Sequence, residues 1–178
     1  CSGKSTLLKK CVEYYDNKFT YVREVTRPIA RKGLPINEKG NDDTQRAIID
    51  AHIDNNKLDN VIMDRCIVDG YVYTNWLFGQ KKVLEETYMY AWNTFNDIVN
   101  DIDIIFYCCP LQMQDDGERS TSENFQKDID GIMTNLLYED PWHKTFKGTL
   151  VILKDEDVDK RFEVIKIAIE KYEHTTIG

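Results

Sequence analysis

The sequence predicts an α/β fold, a three-layer sandwich with a mostly parallel central sheet. Three observations predict it. Strand-like runs alternate with amphipathic helical runs along the whole chain, the pattern of a parallel sheet covered on both faces. The short apolar run Val61-Ile62-Met63 closes on the charged pair Asp64-Arg65, as a buried parallel strand does at the carboxyl edge of a sheet. The chain opens on Cys1-Ser2-Gly3-Lys4-Ser5-Thr6, a glycine turn leading straight into a helix.

The elements follow in order. Ser5 to about Asp16 reads as a helix, with Leu7, Leu8, Cys11, Val12 and Tyr15 spaced three and four apart on one face. Phe19 to Val25 is rich in β-branched and aromatic residues and reads as a strand, with Glu24 and Arg27 at its end. Residues 28–41 read as a polar loop holding Gly33, Pro35 and Gly40. Asp42 to about Asn56 is a helix capped by Asn41 or Asp42, with Ala47, Ile48, Ala51 and His52 toward one side. After the 61–63 strand, residues 68–76 read as a short helix, and Val83 to Asn100 as a longer, aromatic-rich one. Ile102 to Cys109 is a strand and 112–121 a polar segment. Ser122 to Tyr138 is a helix with Phe125, Ile129, Ile132, Met133, Leu136 and Leu137 aligned. Thr149–Leu153 is the last strand, and Asp157 to Tyr172 the closing helix, with Val158, Phe162, Ile165 and Ile169 inward. No repeat or linker divides the chain, so residues 1–178 read as one domain, with 112–121 as a lid within it.

Composition narrows the function classes. A net charge of −8 disfavours an extended nucleic-acid surface, though not a small basic cleft. Five cysteines, at 1, 11, 66, 108 and 109, form no C-x-x-C pair and no zinc-type spacing with histidine, which fits free thiols in a reducing compartment. No run approaches a membrane span and no signal-peptide pattern is present, so a cytoplasmic location is expected.

Four constellations carry chemistry. Ser2, Gly3, Lys4, Ser5 and Thr6 match the second half of the phosphate loop G-x-x-x-x-G-K-[ST]. Such a loop holds ATP through Ser2, Gly3 and Thr6 beside the Lys4 charge, with the Ser5 hydroxyl on Mg²⁺. A whole loop calls for a first glycine and a buried central strand ahead of Cys1, so the first strand is expected to be missing from this sequence. Asp64-Arg65 is the second: the carboxylate can position Mg²⁺ or take a hydroxyl proton, and the guanidinium can clamp developing charge. Glu24 with Arg27 is the third; Glu24 is a candidate to bind or deprotonate an acceptor hydroxyl, and a solvated charge pair is the alternative. Asp116-Gly117-Glu118-Arg119 is the fourth, a hinged segment whose Arg119 can reach the transferred phosphoryl group. Gln45, Asp69 and Tyr73 are further candidates for acceptor contacts, beside Arg27. His52 and His143 read as structural.

The chain resembles P-loop kinase-like (AAA-type ATP-binding) proteins, a group with many phage members that includes the nicotinamide-riboside kinase domain of bacterial regulators. The resemblance rests on Cys1–Thr6, Glu24 with Arg27, Gly33–Glu38, Asp43-Thr44-Gln45, Asp64-Arg65 with Asp69 and Tyr73, and Asp116–Arg119. The Asp-Arg element and the arginine-bearing lid also resemble those of thymidylate and deoxynucleoside kinases. The resemblance implies a P-loop NTPase fold and an ATP:Mg²⁺-dependent kinase acting on a small nucleoside- or nucleotide-like acceptor. Lys4, Glu24, Asp64, Arg65 and Arg119 would then be catalytic, Ser5 and Asp64 would hold the metal, and Arg27, Gln45, Asp69 and Tyr73 would meet the acceptor. Its partners would be ATP and the small acceptor, without a membrane; a homodimer is compatible. Two other readings stay open: a P-loop kinase acting on a modified base or an end in DNA, and a nucleotide-binding switch with little turnover.

Overall fold

The computed structural model describes residues 3–110, 123–139 and 142–176. The 112–121 segment with Asp116–Arg119, and Ser2 of the loop, lie outside the described residues. The elements are α1 (Lys4–Tyr15), β1 (Thr20–Val22), α2 (Thr26–Arg31), α3 (Asp42–Asn56), β2 (Val61–Met63), α4 (Ile67–Gly79), α5 (Glu85–Ile98), β3 (Ile104–Cys108), α6 (Glu123–Thr134), α7 (Trp142–Thr145), β4 (Thr149–Leu153) and α8 (Val158–Thr176). All strand pairing is parallel, as expected. β1 pairs with β2, placing Tyr21 opposite Ile62, and β3 pairs with β4, placing Phe106 opposite Val151. Among the described residues these are two separate pairs rather than one continuous sheet.

Strand alternation sorts the apolar residues into two layers. Tyr21, Ile62, Ile104, Phe106, Cys108 and Val151 pack with Leu7 and Cys11 of α1 and Phe162, Ile165 and Ile169 of α8. Ile105, Tyr107 and Leu150 point the other way, into a larger core built by α3, α4, α5 and the α6 region. Helices therefore cover both faces.

The structure differs from the sequence reading in five places. The helix Thr26–Arg31 takes in the first residues, 28–31, of the polar stretch, and Pro28 is tolerated there because it sits in the first turn, where no intrahelical bond needs its N–H. The inward face of α3 is Thr44, Gln45, Ile48, Ile49 and His52, so two polar side chains replace the expected alanines. α4 runs to Gly79, well past Trp76. It is buried around much of its circumference, through Ile67, Val68, Tyr71, Val72, Thr74 and Leu77, and an interior helix of this kind shows no amphipathic period to mark its length. Val12 is 41% exposed, outside the α1 core face. α6 runs into a π-helical turn, Asn135–Glu139, which keeps Leu136 and Leu137 buried.

The turn into β4 requires a residue without a side chain. A Cβ on Gly148 would lie 2.4 Å from the Ile102 oxygen and 2.7 Å from the Asp103 oxygen, where Thr149 N–H donates to Asp103 O at 2.8 Å. Both clashes are with backbone, so no rotamer relieves them. Gly148→Ala is expected to destabilise the protein by about 3 kcal/mol through forced separation of β3 and β4. Urea unfolding followed by circular dichroism measures this; an unchanged midpoint would rule out the steric account.

Candidate active site

Gly3 begins the site. Its φ of 71° is left-handed, the region glycine occupies without a Cβ penalty, and its carbonyl accepts the Leu7 N–H at 3.0 Å to start α1. Ser5 and Thr6 follow, exposed in the first turn. The Ser5 hydroxyl donates to Asp64 Oδ2 at 2.9 Å, joining residues 59 apart in sequence. Asp64 stands just past β2, its own N–H bonded to Val22 O at 2.8 Å, and is 8% exposed. Its second oxygen, Oδ1, is buried without a hydrogen-bond partner. An orphaned carboxylate oxygen beside a serine hydroxyl fits a small divalent cation, which would satisfy both at once. No group of three or more His, Cys, Asp or Glu side chains that could hold a metal occurs among the described residues, so a cation here would keep most of its ligands as water or phosphate. Lys4 stands near the end of β3. Burial pushes the Cys108 thiol up to about 11, and the positive charges of Lys4 and Arg161 act against that rise.

Arg65 is the hub. Its Nε lies 2.9 Å from Glu24 Oε1 and its Nη1 3.4 Å from Asp69 Oδ1, and its guanidinium lies 5.3 Å from the Tyr73 ring centre. The Glu24 contact is an ion pair without an aligned hydrogen bond, since Nε has no hydrogen-bond partner. Burial works to lower the Arg65 pKa, but Tyr73, Asp69 and Glu24 outweigh it and hold the guanidinium above its ordinary range. Its backbone is in the left-handed region at φ 81°, uncommon for a side-chain-bearing residue and characteristic of functional turns. Arg27 meets the other oxygen of Glu24 at 3.7 Å and is half-exposed at the rim. Asp69 also accepts from Cys66 N–H at 3.4 Å, which caps α4 and fixes the Arg65 turn to the helix.

Beside Arg65 lies a cleft of about 330 Å³, counting the solvent at its mouth. α3 contributes Gln45, Ile48 and His52, and α4 contributes Asp69, Gly70 and Tyr73. Thr26 of α2 and Asn37 complete it. The structure thus brings Gln45, Asp69 and Tyr73 around one cleft with Arg65, while Glu24 pairs with Arg65 and Asp64 with Ser5 outside the cleft lining. Arg27 is held at the rim by Glu24 rather than in the cleft wall. Asn37 and Gly70 lie in the 28–41 and 69–76 segments expected to border the acceptor, though sequence reasoning singled out neither; it missed Thr26, which carries no motif. It also read His52 as purely structural. His52 is buried at 3% exposure, yet its ring lines the cleft and its Nδ1 has no partner. Cys66 is a poor nucleophile: burial, then the Asp69 charge, pushes its thiol up to about 12.

His52 makes stability depend on pH. Burial lowers its pKa to about 4, with Asp69 opposing and Arg65 assisting. In the unfolded chain it titrates near the ordinary value of about 6.5. Between these values the unfolded chain binds a proton that the folded chain refuses. The contribution is therefore fully present above about pH 6.5 and is lost as pH falls toward about 4, on the order of 3 kcal/mol at most. His52→Gln is expected to flatten this part of the stability profile in denaturant titrations at stepped pH. Parallel profiles for the two proteins would contradict it.

Comparison with known proteins bears on the fold and the family. A family model described as an AAA domain matches residues 1–161. No curated protein matches the chain. Among solved structures, it is similar to deoxyadenosine kinase from M. mycoides with products dCMP and a flexible dCDP bound, at 15% identity and a TM-score of 0.69, covering 96% of this chain and 94% of that one. A structure of deoxyadenosine kinase from M. mycoides with bound dCTP matches at 14% identity and a TM-score of 0.68, with the same coverage. Identity this low speaks to the fold, which is the P-loop fold of the deoxynucleoside kinases. With the family match over most of its length, the chain belongs to the AAA domain family of P-loop proteins.

Proposed function

We propose that the chain is an ATP- and Mg²⁺-dependent kinase that transfers the γ-phosphoryl group to a small nucleoside- or nucleotide-like acceptor. The observation that carries this reading is the Ser5–Asp64 hydrogen bond of 2.9 Å with the second Asp64 oxygen left buried and unpartnered. Ser5 and Asp64 would hold Mg²⁺, which when bound neutralises charge on the β- and γ-phosphates. Lys4 and the amides at the start of α1 bind the polyphosphate. The acceptor hydroxyl oxygen bonds to the γ-phosphorus as the bond to the β–γ bridging oxygen breaks, and ADP leaves. The acceptor proton passes to a carboxylate. Glu24, paired with Arg65, is the candidate for this, since Asp64 is engaged with Ser5. Arg65 then faces both the base and the charge that develops on the transferred group. Arg119 is retained as the lid arginine of this proposal.

The names of the solved neighbours, with deoxycytidine nucleotides bound, make deoxynucleosides the first acceptors to try. The test incubates the protein with ATP, Mg²⁺ and a panel of nucleosides, nucleotides and a short DNA oligonucleotide, with products identified by mass spectrometry. A phosphorylated nucleoside or nucleotide is expected. ATP hydrolysis without any phosphorylated product would sink the kinase reading, and phosphorylation of the oligonucleotide alone would move the acceptor to DNA.

A further inference from the structure

We infer that Asn37 binds the acceptor through its carboxamide, at the end of the cleft remote from the reacting hydroxyl, and so selects heterocycles with a polar group on that edge. The inference rests on the kinase reading above and names the acceptor property that the site selects. Asn37 lines the cleft and is half-buried rather than sealed within it. Among the described residues its carboxamide has no hydrogen-bond partner, which leaves two N–H donors and a carbonyl oxygen for a ligand. The other amide of the lining is already spent: Gln45 is 1% exposed and accepts from Thr74 at 3.0 Å.

The backbone holds the Asn37 side chain in one place. Asn37 is left-handed at φ 55°, a conformation that costs a residue with a Cβ and that glycine adopts freely. Its turn is braced from both sides. Thr44 Oγ1 donates to Pro35 O at 2.7 Å before it, and Lys82 Nζ donates to Glu38 O at 2.5 Å after it. Gly40 N–H closes the turn onto Asn37 O at 3.0 Å. The same turn packs against the far part of α4, since a Cβ on Gly40 would lie 3.1 Å from Asn37 O and 3.0 Å from Leu77 Cδ1. Leu77 is about 12 Å along α4 from Asp69. Arg65 and Asp69 mark the end where transfer occurs in the kinase reading. What meets Asn37 is therefore the part of the acceptor that does not react, the heterocycle of a nucleoside. A braced, strained turn that keeps an accessible amide where glycine would fit without strain has the character of a ligand clamp. A carboxamide carries donor and acceptor side by side, which suits the polar edge of a planar ring.

Asn37→Gly removes the amide and relaxes the turn. The experiment uses the full chain with ATP and Mg²⁺ and two pairs of acceptors, deoxyadenosine with purine deoxyriboside, and deoxycytidine with its analogue lacking the 4-amino group. Turnover gives KM for acceptor and for ATP, and calorimetry without ATP gives the acceptor Kd. For the amino-bearing member of whichever pair the wild type takes, Asn37→Gly is expected to raise KM and Kd by about tenfold while the ATP KM holds. For the member without the amino group the change should stay within about threefold. The thermal midpoint of Asn37→Gly should be at or above that of the wild type, so that lost binding is not lost fold. Asn37→Ala, which keeps the strain, should bind as weakly as Asn37→Gly. An unchanged Kd in Asn37→Gly, an equal loss for both members of a pair, or a parallel rise in the ATP KM overturns the inference. Weak binding in Asn37→Ala alone makes the backbone responsible and overturns it as well. Binding of a pair without phosphoryl transfer removes the kinase reading and leaves the Kd values to judge the inference. Binding of none of the four overturns the inference, while turnover of another acceptor class keeps the kinase reading.

Discussion

Asp64→Asn is expected to reduce phosphoryl transfer by about 10²–10³ while leaving the folded protein at least as stable as the wild type. The substitution keeps the shape of the side chain and its reach to Ser5. What it removes is the negative charge, which the Ser5 hydroxyl alone does not offset. Asp64 is 8% exposed with one oxygen unpartnered, so in the absence of metal the carboxylate is a buried, incompletely compensated charge. A neutral amide there carries less desolvation cost, and a gain of about 1 kcal/mol is expected in metal-free buffer. A second readout does not need turnover. Millimolar Mg²⁺ with ATP should raise the thermal midpoint of the wild type and leave that of Asp64→Asn nearly unmoved, because stabilisation by a ligand follows its affinity for the native state. Ser5→Ala should behave as a weaker version, with an alcohol ligand lost but the charge kept. Full activity in Asp64→Asn, or an equal Mg²⁺-dependent shift in both proteins, would remove the metal assignment.

How much of this was legible in the sequence depends on whether a feature is local. Val61-Ile62-Met63 ending at Asp64 was readable as a strand because the apolar run and the charged pair that closes it are consecutive, although the strand is half-buried and Asp64 is the more buried residue. The inward stripes of α1 and α8 were readable because amphipathic helices repeat. The length of α4 was not, since a helix packed on several sides loses that repeat. Arg161 shows a second kind of failure. On paper it belongs to the charged face of α8, yet it is 1% exposed and its Nη2 donates to Cys109 O at 3.0 Å, tying the end of β3 to the turn after β4. Gln45 could be listed as a polar candidate, but its partner Thr74 follows from how α3 and α4 meet. The left-handed backbone at Arg65 carried no residue signal either, because glycine is what such a position ordinarily shows.

That backbone gives the last prediction its discriminating power. Arg65→Ala removes the guanidinium from a site where Glu24, Asp69 and Tyr73 converge on it, and is expected to lower kcat by about 10³. It also leaves the Glu24 and Asp69 side chains, each about one-fifth exposed, without the cation they share. Stability should fall, and a simple loss of fold would then explain the lost activity just as well. Arg65→Gly separates the two. It deletes the same guanidinium, but at φ 81° glycine adopts the conformation freely, whereas alanine keeps a penalty of about 1 kcal/mol. Arg65→Gly is therefore expected to be the more stable of the two variants by about that amount in denaturant titration, while being just as inactive. Raising the pH does not substitute for either mutation, since the site holds the guanidinium charged beyond its ordinary range. If activity instead tracks stability, with Arg65→Gly recovering turnover over Arg65→Ala, the residue acts through the fold of the β2–α4 turn. If both stay inactive while one folds better, the charge itself is what transfer requires, and the strained turn exists to aim it.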